Sequence, residues 1–279
     1  MLKKSVIPFF FFSVTLIALS LMGAPLTEEE KPLPSRYLAD LNWMQVRDIV
    51  PSKIDTVILS VGTLEAHGVT CNGTDFVVPD RLAEMVAPRV NALIAPHITY
   101  GVTKSLTPYP GGIAISEDTF EQYVKEIIYG LADIGFRNII IINGHGPNRG
   151  PCDRAMYELM MEKKVRGMVI DWWSYTDDIT KEVFKQDGGH AGINENAAVL
   201  AVDPKLVYPE LYSPDKVTAT PNDPSYSAFP SPSSILLYTP GEGYPEFNLQ
   251  RAREYLNKVA DKLVKLIRET IAKWDKAGL

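Results

Sequence analysis

Cysteine and histidine are scarce in this chain, with two and four residues among 279. Two cysteines rule out a four-thiolate zinc module. The sequence has no low-complexity tract, no long run of like charge and no fixed-period repeat, and aromatics make up 10% of it. A disordered chain, a solenoid and a propeller are thereby excluded. Dense Lys/Arg clusters are missing as well. The net charge is −6 and the isoelectric point about 5.3, so the basic footprint that nucleic acid requires is not present. Nor is there a serine-nucleophile elbow, a phosphate-binding loop or a dinucleotide fingerprint, which argues against those enzyme classes. What remains is ordinary globular composition, 46% hydrophobic and 22% charged, at a length that suits one large domain.

The first two dozen residues stand apart. Lys3 and Lys4 precede an apolar stretch from Val6 to Met22, broken by Pro8, Ser13, Thr15 and Ser20. Gly23 and Ala24 follow, then the polar run Thr27 to Lys31. A basic start, an apolar middle and small residues at the end predict a signal peptide over 1–24 and an exported, periplasmic or extracellular mature chain over 25–279. A retained anchor over residues 6–22 is the alternative, since the stretch just suffices to span a bilayer. Only in that case is a membrane a partner. Export places Cys71 and Cys152 in an oxidising compartment, where a disulfide between them and a pair of free thiols are both open readings.

Along the mature chain, apolar runs and helical periodicities alternate. Thr56–Val61 is β-branched and apolar, a buried strand. Pro79–Val90 reads as a helix with Pro at its start and Leu82, Met85 and Val86 on one face. Ala92–Ala95 is a second short strand. Glu117–Gly135 is amphipathic, with Phe120, Tyr123, Val124, Ile127, Ile128 and Leu131 at helical spacing. Asn138–Asn143 is the strongest strand signal, suited to a central parallel strand covered on both faces. Arg149–Lys164 reads as a helix, Gly167–Trp173 as a strand, 204–247 as long ordered loops and Leu249–Trp274 as a closing helix. Parallel strands need crossover connections, which helices supply. The expected fold is therefore a single α/β domain with a mainly parallel sheet and helices on both faces.

The chemistry gathers where strands end. In the segment Val61-Gly-Thr-Leu-Glu-Ala-His-Gly68, Glu65 and His67 are two residues apart and leave the same face of an extended chain, roughly 6 to 7 Å apart. Asp75 follows the Gly73 turn. His145 lies in Asn143-Gly-His-Gly-Pro147, directly after the strongest strand, where open α/β sheets bind their ligands. Gly188-Gly-His-Ala-Gly192 presents His190, and Glu195 opens the next helix. Carboxylates mixed with imidazoles suit zinc, manganese or iron, and Asp75 is the candidate to be shared by two ions.

Glu65-Ala-His-Gly68, Gly73-Thr-Asp75, Pro96-His-Ile-Thr-Tyr-Gly101, Tyr109-Pro-Gly111, Asn143-Gly-His-Gly-Pro-Asn148 and His190-Ala-Gly-Ile-Asn-Glu195 occur in an order that resembles the creatininase (creatinine amidohydrolase) family, over roughly residues 40–270. The resemblance implies an α/β homo-oligomer with two divalent ions, zinc first and manganese or iron next, that hydrolyses an amide or related C–N bond of a small molecule. It implies metal ligation by Glu65, His67, Asp75 and His145, with Asp75 bridging. Where creatininase completes its ligand set with a glutamate, this chain has Pro147; Glu195 is the candidate to replace it, both as ligand and in catalysis. His190 matches the proton-transferring histidine. The substrate side departs from the family at Thr70, Leu106 and Gly112, so a substrate other than creatinine is expected. Tyr100, Thr103, Trp172 and Trp173 are candidate substrate contacts. A non-catalytic exported binding protein on the same fold is the competing class.

Overall fold

The computed structural model describes residues 33–104, 106–212, 225 and 248–279. The expected signal peptide or anchor, and most of the 204–247 segment, lie outside the described residues. Among those described, no helix is long and apolar enough to cross a membrane.

Helix α1 (Trp43–Ile49) starts at Asn42, whose side chain closes a capping box with Gln45. Strand β1 (Thr56–Val61) follows, then α2 (Thr74–Val90), β2 (Ala92–Ile94), α3 (Glu117–Ile134), β3 (Asn138–Asn143), α4 (Arg149–Lys163) and β4 (Arg166–Asp171). A helical turn α5 (Trp172–Tyr175) leads into α6 (Asp177–Phe184), α7 (Ile193–Val202) and the long α8 (Leu249–Ala277). The strands form one parallel sheet in the order β2-β1-β3-β4. Each residue of β1 and β3 is buried, as expected for strands covered on both faces.

Side-chain alternation divides that burial. Ile58, Ile140, Ile142 and Ile170 join one core with Val78, Leu82 and Val86 of α2, Ala197 and Ala198 of α7, and Val259, Leu263 and Ile267 of α8. On the other face α3 packs beside α4, burying Phe120, Val124, Ile128, Ala155 and Leu159. The result is a single α/β domain of three layers.

Register sets where function can sit. Thr56, Asn138 and Arg166 are aligned partners at the amino end. There Asn138 donates to the Thr56 hydroxyl at 3.0 Å, and Arg166 donates to the Asn138 amide oxygen at 2.7 Å. Val61, Asn143 and Asp171 are aligned at the carboxyl end, so three following loops emerge side by side.

Three sequence expectations are corrected. Helix α2 begins five residues before Pro79, because Thr74 enters it directly from the Gly73 turn, its hydroxyl bonded to the Cys71 carbonyl at 2.7 Å. Strand β4 ends at Asp171, and the two tryptophans belong to the helical turn after it. Tyr123 is 54% exposed and lies off the buried stripe of α3. Of the two readings left open for the cysteines, the structure has free thiols at Cys71 and Cys152, the latter buried in α4.

Candidate metal centre

After β1 the chain crosses the carboxyl edge of the sheet and delivers Glu65 and His67. A tight turn holds His67: the Thr70 amide and hydroxyl both donate to its carbonyl, at 3.0 and 2.7 Å, and Gly68 makes the reversal at a φ of 57°. Thr70 therefore closes the loop that carries a candidate ligand.

Asp75 sits in the first turn of α2, an end that favours a carboxylate. Its backbone is gripped from both sides. Gly62 and Gly144 are the residues immediately after β1 and β3, and a methyl group on either would collide with the Asp75 carbonyl. Pro79 has no N–H to offer that carbonyl four residues earlier, which leaves it to the glycines. Gly144→Ala is expected to cost about 1–3 kcal/mol, read as a lower urea midpoint at unchanged slope, with weaker metal uptake alongside. An unchanged midpoint would show that the contact can relax.

The side chains converge on Asp75. Its Oδ1 is 2.9 Å from His67 Nε2 and its Oδ2 is 2.9 Å from His145 Nδ1. Glu65 Oε1 lies 3.2 Å from His145 Nδ1 and 3.4 Å from His190 Nδ1. Glu195 Oε2 is 3.5 Å from His67 Nε2 and accepts the Ala191 N–H at 2.7 Å. Ala191 holds a left-handed φ of 53°, local strain beside the site. Glu65, His67, Asp75, His145 and Glu195 are each at most 6% exposed.

Backbone carbonyls fix the imidazole tautomers. His67 Nδ1 is 3.1 Å from the Glu65 carbonyl, His145 Nε2 is 2.8 Å from that of Val102, and His190 Nε2 is 2.8 Å from that of Ala66. A carbonyl only accepts, so these nitrogens carry the protons. The opposite nitrogens then face carboxylate oxygens lone pair to lone pair, an arrangement that needs a cation between them. His67 Nε2 and Asp75 Oδ2 are indeed buried without a hydrogen-bond partner. In the metal-free chain, protons fill the role. Burial alone would lower His67 and His145, but Asp75, with Glu195 and Glu65 adding at His67 and Glu65 at His145, raises each to about 10. Burial works against the Asp75 carboxylate, yet the two histidines hold it well below its usual range. Glu195 is pushed up to about 8 by burial, with the Asp75 and Glu65 charges adding.

Two half-sites result, one of Glu65, Asp75 and His145, the other of His67, Asp75 and Glu195, the donor atoms of each within 4.8 Å of one another. Glu65, His67 and His190 make a third such group. Carboxylates and neutral imidazoles with outer nitrogens tied to carbonyls fit a pair of divalent ions such as zinc or manganese.

A hollow of about 300 Å³ opens over the cluster, walled by Lys104, Leu106, Gly146, Pro147, Trp173 and His190. Of the candidate substrate contacts, only Trp173 lines it. Trp172 is 1% exposed and packed into the core, Thr103 is buried against the Thr63 hydroxyl at 2.8 Å, and Tyr100 faces a different hollow with Phe120 and Tyr123. Tyr100, Thr103 and Trp172, expected as substrate contacts, do not line the hollow over the cluster. Sequence reasoning assigned no role to Asn148, which accepts the Val102 N–H at 2.9 Å and donates to the Gly62 carbonyl at 3.1 Å. It thereby steadies the carbonyl that orients His145. Its one sequence signal is an amide closing the Asn-Gly-His-Gly-Pro-Asn run. Lys104 left none.

Comparison with known proteins follows the same lines. A family model described as creatinine amidohydrolase (creatininase) matches residues 39–267. The chain is 27% identical to the creatinine amidohydrolase of Pseudomonas putida over 70% of this chain and 82% of that one. It is 28% identical to the 3-dehydro-scyllo-inosose hydrolase of Thermotoga maritima, over 62% of this chain and 58% of that one. A crystal structure of creatininase superposes with a TM-score of 0.74 at 22% identity, covering 85% of this chain and 98% of that chain. Manganese and Zn–Zn forms of creatininase match at a TM-score of 0.72.

Proposed function

This chain belongs to the creatininase family, and from that premise we propose that it is a metal-dependent hydrolase opening an amide or related C–N bond of a small molecule. The observation that carries the proposal is Asp75, one carboxylate facing both His67 and His145, with a further carboxylate in each half-site. Glu65, Asp75 and His145 would hold one ion and His67, Asp75 and Glu195 the other. Two divalent ions there, zinc first and manganese or iron next, would supply Lewis acidity toward a carbonyl and a water acidified toward neutral pH.

The chain's own residues do the rest. Leu106, Pro147 and Trp173 give the hollow an apolar wall against which a flat amide group lies. His190 is the one histidine of the cluster that reaches solvent, with 29% of its side chain exposed. Its Nε2–H is committed to the Ala66 carbonyl, which leaves Nδ1 to move a proton. Burial lowers its pKa, so Nδ1 is free to accept at neutral pH. The water oxygen bonds to the carbonyl carbon, the C–N bond breaks, and the water proton passes through His190 Nδ1 to the departing nitrogen.

The test is His190→Ala assayed on a panel of cyclic amides and formamides. Turnover is expected to fall by about 10²–10⁴ with metal content unchanged. Full turnover in the variant would remove His190 from the reaction. Export and self-association into a homo-oligomer remain part of this proposal, and fractionation of cells and light scattering of the purified chain test them.

A further inference from the structure

Lys104 is the one lysine or arginine among the described residues that line the hollow. Lys104 follows the loop that carries Val102, and it faces a wall otherwise made of Leu106, Pro147 and Trp173 beside the metal cluster. Its Nζ is 2.9 Å from Glu117 Oε2 at the start of α3, yet 67% of its side chain remains exposed. Glu117 does not depend on it. The other Glu117 oxygen accepts Arg154 at 2.9 Å, and Arg154 also pairs with Glu121. Lys104 can therefore turn into the hollow without leaving an unpaired carboxylate behind, and its long flexible stem gives the reach.

Gly146 adds an independent constraint on size. It lines the same hollow, and a methyl group on it would meet no atom of the described residues beyond its chain neighbours within 4 Å. Folding does not exclude a side chain there, so the bare backbone keeps space for a bound molecule. At about 300 Å³ the hollow is at the small end of ligand sites.

We propose, resting on the hydrolase reading above, that Lys104 is the specificity-determining residue of the hollow and that the substrates are compact amides carrying a carboxylate. The ammonium takes the carboxylate at the mouth while the amide lies over the metal cluster.

The probes are hydantoin and hydantoin-5-acetate, cyclic amides that differ by one carboxylate-bearing arm. Their binding to the metal-loaded chain is measured by calorimetry, with metal content determined on the same samples. The carboxylate probe is expected to bind about tenfold or more tightly than the neutral one, the range of a charge-assisted contact. Lys104→Met is expected to abolish that preference at unchanged metal content, and Lys104→Arg to retain it. Gly146→Ala is expected to weaken both probes. Equal affinity for the two probes, no binding of either, or a preference that survives Lys104→Met overturns the assignment. Failure of the underlying reading is seen separately, as a chain that takes up no metal.

Discussion

Asp75→Ala is expected to take metal content from about two ions per chain to none and to bring turnover to background. Most ligand substitutions in a two-ion site remove one position. Asp75 differs because each of its oxygens faces a different histidine at 2.9 Å, so both half-sites lose a donor together. The variant should still fold. Without the carboxylate the two imidazoles lose the main charge that raises them, while Glu195 stays beside His67 and Glu65 beside His145, so no unpaired buried cation remains. Glu65→Gln is the contrast, because Glu65 faces His145 and His190 but belongs to only one of the two Asp75 half-sites. It is expected to remove one ion and leave the other. Elemental analysis beside circular dichroism separates the two, and an Asp75→Ala chain that keeps one ion would show that the sites do not share it.

The second large effect is on pH. Metal binding displaces the protons that occupy the cluster in the metal-free chain. The half-site of Glu65, Asp75 and His145 holds one such proton, on an imidazole raised to about 10. The half-site of His67, Asp75 and Glu195 holds two below pH 8, on His67 and on a carboxyl raised to about 8. Since bound protons oppose the metal, affinity rises with pH in both, but not equally. From pH 6 to 8 one site is expected to tighten roughly tenfold per unit and the other roughly a hundredfold. Above pH 8 the second slope drops to about tenfold. Glu195→Gln removes the second proton and should bring the steeper slope down to the shallower one. Competition titrations with a chromophoric chelator across that range give both slopes, and two equal slopes would refute the proton assignment. The stability linkage of the metal-free chain runs in the opposite sense. Imidazoles raised above their unfolded pKa contribute stability below pH 6.5 that is lost as pH climbs through about 10.

Much of the fold was legible because its sheet is all parallel. Strands buried on both faces need unbroken apolar runs, and Thr56–Val61 and Asn138–Asn143 are such runs, with bounds that match the structure. Proline misled at α2, where Pro79 lies inside the helix and frees the Asp75 carbonyl. The β4 end was missed because Trp172 and Trp173 extend the apolar run although the chain has already turned helical. At the site, side chains flanked by glycine after a strand were readable: Glu65, His67, Asp75, His145, His190 and Glu195 gather in one cluster. The carbonyls of Glu65, Ala66 and Val102 that orient the three rings were not, since a backbone group leaves no mark in residue identity. Aromatics were the weakest signal. Tyr100 and Trp172 serve a second hollow and the core, and nothing in their sequence neighbourhood distinguishes those places from a pocket wall.

The most direct test of the account is a metal add-back on chain stripped with chelator, following hydrolysis of a cyclic-amide panel as zinc or manganese is titrated. Hydrolysis is expected to return with metal and to saturate at about two equivalents per chain. A chain that binds no metal, or that binds two equivalents and hydrolyses nothing in the panel at any pH, would contradict it, the latter leaving a metal-binding protein on a hydrolase fold.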